Sequence, residues 1–147
     1  MKFEYKEDEI FFRSMFGKPF SKYKSLFDFR SPGLKRDEYL QERNNLLIQL
    51  QKRDKGVCQL RLNNRCTVDK EITIDHIIPL SSNILNKQIR HIVRTTYKKV
   101  PSQSFGSNHI YNLILACANC NKYKKHRFLD KEKMSVLITN NFKYHEK

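Results

Sequence analysis

The sequence predicts an α+β fold: two short strands, a helix directly after the second, and further helices on either side. Three observations carry this expectation. Residues 71–78 alternate in character and are β-branched, the pattern of a strand with one buried face. Residues 110–117 form a second apolar run, and residues 119–127 after it read as a helix. Upstream, Tyr39, Leu40, Arg43, Leu46, Leu47 and Leu50 recur at helical spacing on one stripe.

The remaining elements follow in chain order. Residues 1–30 are rich in Phe, Tyr and Lys, with partly helical spacing and too many aromatics for a disordered tail. Packing against the core is favoured over base stacking, since aromatics supply much of the burial in small domains. Ser31 is placed to cap the helix of the Tyr39–Leu50 stripe, with Pro32 as its first residue and Gly56 as its stop. Arg53 and Lys55 near its end suit the helix dipole and a solvated helix end, with phosphate contact as the alternative. The long connection over residues 82–109 carries Ile84, Leu85, Ile89, Ile92 and Val93 at helical spacing, so a short helix is expected there. Asp130 is placed to cap a last helix bearing Met134, Leu137 and Ile138 on one face. The chain divides into an aromatic-rich helical arm (1–52), a core (53–129) and a C-terminal helix and tail (130–147).

Charge narrows the function. The 147 residues, a length suited to one compact domain, carry 29 Lys and Arg against 15 Asp and Glu, a net charge of +14. Such a field attracts polyanions, nucleic acid above all; the alternative on charge alone is a ribosome-bound or merely soluble basic protein. Between His76 and Leu129 there is no acidic residue, while Lys87, Arg90, Arg94, Lys98, Lys99, Lys122, Lys124, Lys125 and Arg127 all fall there. Residues 1–10 lack the apolar core of a secretory signal, and no apolar run approaches the ~18 residues of a membrane span. A cytoplasmic setting is therefore expected, with no membrane partner. Cysteines in that setting are not expected to pair as disulfides.

Cys58 and Cys66 form one pair, and Cys117-x-x-Cys120 the other. Four thiolates suit a closed tetrahedral zinc site of structural purpose, clamping the loop before the first strand to the start of the helix. Four buried free thiols are the alternative reading.

Two stretches carry the remaining chemistry. Residues 74–81 read I-D-H-I-I-P-L-S, and residues 112–125 read N-L-I-L-A-C-A-N-C-N-K-Y-K-K. With the C-N-x-x-K run and the interval from Asn112 to Asn121, they resemble the HNH endonuclease family over roughly residues 53–127. The resemblance implies a ββα-metal core and hydrolysis of DNA to 5′-phosphate and 3′-hydroxyl ends. It implies His76 as general base, Asp75 as a carboxylate metal ligand, Asn112 as a brace that points His76, and Asn121 as a second metal ligand. Some relatives place a metal-binding His one turn after that position; here Lys125 is expected on that face, and His126 lies ~100° away. Two oxygen ligands suit catalytic Mg²⁺ or Mn²⁺ rather than zinc. Lys122, Lys124, Lys125 and Arg127 are then expected along the backbone of double-stranded DNA. Arg90, Arg94, Lys98 and Lys99 mark the long connection as a DNA-contacting insertion, with a surface helix as the alternative. The competing readings are a non-catalytic zinc-containing DNA- or RNA-binding module of the same shape, and an RNA nuclease.

Overall fold

The computed structural model describes all 147 residues, Met1–Lys147, and is mixed α and β, as the sequence predicts. The N-terminal segment holds α1 (Lys6–Arg13) and a 3₁₀ turn over Phe20–Leu26. Its aromatics form the core. Phe12 is fully buried, with its ring centroid 5.0 Å from Phe27, 5.4 Å from Phe105 and 5.6 Å from Phe128. One apolar cluster takes in Phe3, Phe12, Cys58, Ile77, Ile114, Leu137 and Phe142, so arm, core and tail share a single interior.

The long helix α2 (Pro32–Asp54) starts and stops where the sequence predicts. Ser31 accepts a hydrogen bond from the Leu34 N–H at 3.2 Å, and the chain leaves the helix through Lys55 and Gly56 at φ of 56° and 69°. Only one narrow face is apolar. Leu50 packs with Ile74, Leu113 and Leu115, flanked by Tyr39, Leu46 and Leu47, whereas Leu40 faces solvent.

The hairpin pairs β1 (Ile72–His76) with β4 (Leu113–Cys117) in antiparallel register, Ile72 opposite Cys117 and His76 opposite Leu113. Because this sheet has only two strands, the outer edge of β4 needs other partners. The end of α2 supplies them, and here Arg53 corrects the expectation of a solvated or phosphate-touching side chain. It is 3% exposed, pairs with Asp54 at 2.8 Å and donates to the Ile110 and Leu113 carbonyls. Asp54 in turn accepts the Leu115 N–H at 2.9 Å.

Between the hairpin strands lie β2 (Ser81–Ser82), α3 (Ile84–Gln88), β3 (Gln103–Ser104) and a 3₁₀ turn over Ile110–Asn112. The helix in this connection is real but short, and Ile92 and Val93 lie exposed beyond its end. Arg90 departs from its expected place on DNA. Its guanidinium lies 2.9 Å from Asp8 and 3.2 Å from Glu7 and stacks over the Tyr5 ring at 3.9 Å. It ties the connection to α1 with acids from outside the acid-free stretch.

The helix after the hairpin, α4 (Ala118–Lys124), stops three residues short of the expected Arg127, because Lys125 turns to φ 53°, ψ −130°. The last helix, α5 (Lys131–His145), has Asp130 as its cap, accepting the Lys133 N–H at 2.8 Å, and buries Met134, Leu137 and Ile138. No helix is long and apolar enough to cross a membrane.

Candidate metal centre and hydrolytic site

Four cysteines converge where α4 leaves the hairpin. Their Sγ atoms all lie within 4.8 Å of one another, and Cys66 and Cys117 are 3.9 Å apart. That is far beyond a disulfide bond and close to the ~3.8 Å edge of a tetrahedron drawn with Zn–S bonds of about 2.3 Å. The donor set and spacing therefore fit a closed metal site, whereas buried thiols with no common ligand have no need to point at one another. Backbone N–H groups support the sulfurs: Cys120 donates to Cys117 Sγ and Leu62 to Cys120 Sγ, each at 3.4 Å. Burial opposes ionisation of Cys117, but donors from Cys120 and Thr67 outweigh it and bring its pKa down to about 6. Burial pushes Cys120 the other way, up to about 12.

From the cluster one stripe runs along α4. Cys117, Cys120, Asn121 and Lys124 recur at the spacing that puts side chains on one helix face. Lys124 therefore takes the position expected of Lys125. It is also corrected as a DNA contact: its side chain is 1% exposed, donates to the His76 carbonyl at 2.8 Å and lies 3.2 Å from Asp75 Oδ2. Asp75 Oδ1 accepts the His76 N–H at 2.9 Å. Oδ2 is buried, and its counter-charge is the Lys124 ammonium 3.2 Å away. Burial pushes the Asp75 pKa up, and the charge of Lys124 pulls it back. Asn121 is half-buried, and its amide makes no hydrogen bond within the chain.

His76 is held from the opposite side. Its Nε2 lies 2.8 Å from Asn108 Oδ1, while Asn108 Nδ2 donates to the Lys35 carbonyl at 2.8 Å. That second bond fixes which way the amide faces. An oxygen therefore meets Nε2, Nε2 carries the proton, and Nδ1 keeps its lone pair. Burial pushes the His76 pKa down to about 4; Asn108 opposes this, and the nearby charges of Lys124 and Lys35 add to it. The ring is neutral at pH 7, the state a proton acceptor needs.

The turn after His76 is cast in hydrogen bonds. Asn112 is fully buried. Its Oδ1 accepts from the Ile78 N–H at 2.8 Å, and its Nδ2 donates to the Ile78 and Ser107 carbonyls at 3.0 and 2.9 Å. All its partners are backbone, so its part is to brace. Lys35 on α2 does the same with a charge: its Nζ donates to the carbonyls of Asp28 (2.7 Å), Leu80 (2.8 Å) and Gly106 (2.7 Å). Burial pushes its pKa down to about 8, while three carbonyl partners match the three donors of the ammonium form. A Cβ on Gly106 would sit 1.9 Å from the Ile78 carbonyl oxygen, so only glycine lets the two loops approach.

The other cations expected on nucleic acid, Lys122, Lys125, Arg127, Arg94, Lys98 and Lys99, are all exposed. None forms an ion pair. The sequence does not single out Lys35, Asn108 or Gly106 as site residues. Asn108 lies four residues before Asn112, which is its only signal; nothing marks Lys35 among the other basic residues of α2. Compared with known proteins, the chain matches no protein-family model, no curated protein and no solved structure.

Proposed function

We propose that the chain is a metal-dependent DNA endonuclease of HNH type that hydrolyses phosphodiester bonds to 5′-phosphate and 3′-hydroxyl ends. The observation that carries this is the hairpin-plus-helix unit: β1 carries Asp75 and His76, and α4, whose inner stripe bears Asn121 and Lys124, packs against it with Lys124 Nζ 3.2 Å from Asp75 Oδ2. Asp75 Oδ2, a buried carboxylate oxygen that already draws the Lys124 cation to 3.2 Å, suits a metal cation, and Asn121 offers a second hard oxygen with no partner of its own.

In this reading, Nδ1 of His76 takes a proton from water as the water oxygen attacks phosphorus, the P–O3′ bond breaks, and the departing 3′-oxygen takes up a proton from solvent. Asn108 and Asn112 keep the imidazole in tautomer and place. Asp75 and Asn121 would hold Mg²⁺ or Mn²⁺, with Lys124 yielding or sharing its place beside Asp75. A bound divalent ion supplies charge neutralisation at the scissile phosphate and the leaving 3′-oxygen. The exposed cations Lys122, Lys125 and Arg127, with Arg94, Lys98 and Lys99 on the connection, take the DNA backbone. Zinc on Cys58, Cys66, Cys117 and Cys120 is structural, holding the loop of residues 58–66 to the β4–α4 junction.

One observation favours a second reading. The Lys124–Asp75 pair supplies the carboxylate with a counter-charge from the chain itself, as suits a non-catalytic zinc-containing nucleic-acid-binding module. A plasmid-nicking assay with and without added Mg²⁺ separates the two. Nicking that requires Mg²⁺ supports the nuclease; binding without nicking at any Mg²⁺ or Mn²⁺ concentration supports the module.

A further inference from the structure

Beside the cysteine cluster, on the outward side of α4, lies a cleft of about 400 Å³ lined by Asn63, Arg65, Asn119, Lys122, Tyr123 and Lys125. Three of the six are cations, none is acidic, and none of the three forms an ion pair. Like charges gathered around one opening repel one another unless an anion joins them.

Two further features show a built site. The backbone of Arg65 is fixed on both sides: its N–H donates to Asn63 Oδ1 and its carbonyl accepts from Asn119 Nδ2, each at 2.8 Å. Lys125 reaches the cleft through a φ 53°, ψ −130° conformation that is costly for a residue with a Cβ. Continuing the α-helix would have swung it elsewhere. Both walls are set by the cluster, since Arg65 adjoins Cys66 and Asn119 adjoins Cys120. Just beyond the end of α4, Arg127 stacks over the Tyr123 ring at 5.1 Å, extending the basic strip.

We infer that this cleft is a phosphate-backbone subsite for duplex DNA, with Arg65 as its central contact, and that the occupied cysteine cluster sets its width. This deepens the endonuclease reading and rests on it. DNA crossing the Asp75–His76 site over α4 would meet the cleft on the outer face of the same helix. The zinc-site loop then has a recognition role as well as a structural one.

The test is equilibrium binding of a fluorescent duplex to the zinc-loaded full chain across a salt series, without Mg²⁺. Each phosphate contact contributes a slope of about 0.9 in log K against log salt, which is roughly a fivefold loss of affinity per contact near 0.15 M salt. Arg65→Gln is expected to show that loss, and the Arg65→Gln, Lys122→Gln, Lys125→Gln variant one on the order of 10²-fold by the same relation. Zinc content and melting temperature should not move, because Gln keeps both backbone bonds of position 65. Lys52→Gln, exposed on α2, is the control for net charge. Unchanged affinity and slope in Arg65→Gln, or a loss matched by Lys52→Gln, overturns the cleft while leaving the nuclease reading standing. Failure of the wild-type chain to bind duplex at any salt overturns both.

Discussion

His76→Ala separates proton transfer from every other role of the site. The ring's one directed partner is Asn108, so truncation leaves Asn108 Oδ1 unpaired while Nδ2 keeps its bond to Lys35. An orphaned, partly buried acceptor costs about 1–3 kcal/mol, within the ~5–15 kcal/mol of a typical domain, so the variant should fold. Lys124 grips the main-chain oxygen of residue 76 and not its ring, so the Asp75–Lys124 pair survives the substitution. Metal and DNA binding should therefore persist while cleavage falls by ~10²–10⁴-fold, the usual loss on removing a general base. Asn121→Ala should also lower cleavage, but higher Mg²⁺ or a change to Mn²⁺ should partly restore it. No concentration of metal should rescue His76→Ala. The pH profile gives an independent check. A base with its pKa held down to about 4 is already neutral well below pH 6, so activity should be flat above pH 6, where an ordinary imidazole would still be titrating. Wild-type nicking by His76→Ala, or its rescue by Mn²⁺, would refute the assignment.

Three further outcomes are expected. Folded protein should retain about one zinc per chain after dialysis against a mild chelator, and Cys66→Ser should abolish that zinc and unfold the chain, because structural-zinc binding energy is folding energy; metal-free folded protein in elemental analysis counts against it. Replacing Arg94, Lys98 and Lys99 with Gln should weaken DNA binding and flatten its salt dependence by up to about 0.9 per contact, whereas Arg90→Gln should lower the melting temperature, since Arg90 is spent on Asp8 and Glu7. Gly106→Ala should destabilise the fold by about 1–3 kcal/mol or more in denaturant titration, as the added Cβ meets the backbone oxygen of Ile78 at 1.9 Å, which cannot swing aside as a flexible side chain would.

The fold was legible in the sequence wherever a local rule decided it. Ser31 and Asp130 cap their helices because a side-chain oxygen three residues before an N–H needs no tertiary help. The hairpin could be read because its strands pair along their whole length and are bounded by loops. The aromatic arm could be assigned to the core because water rejects that much ring surface wherever it lies in the chain. The candidate site was legible only in part. Asp75, His76 and Asn121 lie on the elements predicted for them, and Asn112 on a 3₁₀ turn where the sequence predicts the strand to have begun, but the residues that hold His76 come from α2 and the loop before β4, more than thirty positions away on either side.

The cations show why the rest stayed hidden. Arg53, Arg90 and Lys124 read as solvated or DNA-facing charge and Lys35 carries no signal at all, yet all four are fasteners. A two-stranded sheet leaves backbone carbonyls facing the interior, and the loops around Gly106 and Leu80 add more. A buried carbonyl needs a donor, and a Lys or Arg reaching across the domain supplies several from one side chain. In a chain with 29 basic residues, sequence cannot say which cations the interior will recruit, because the choice depends on which carbonyls the fold leaves unpaired. The basic residues left over, exposed and without counter-ions, are the ones with charge to offer a polyanion. Arg65 belongs with them and Lys124 does not, although the spacing of the motif alone would have ranked them the other way.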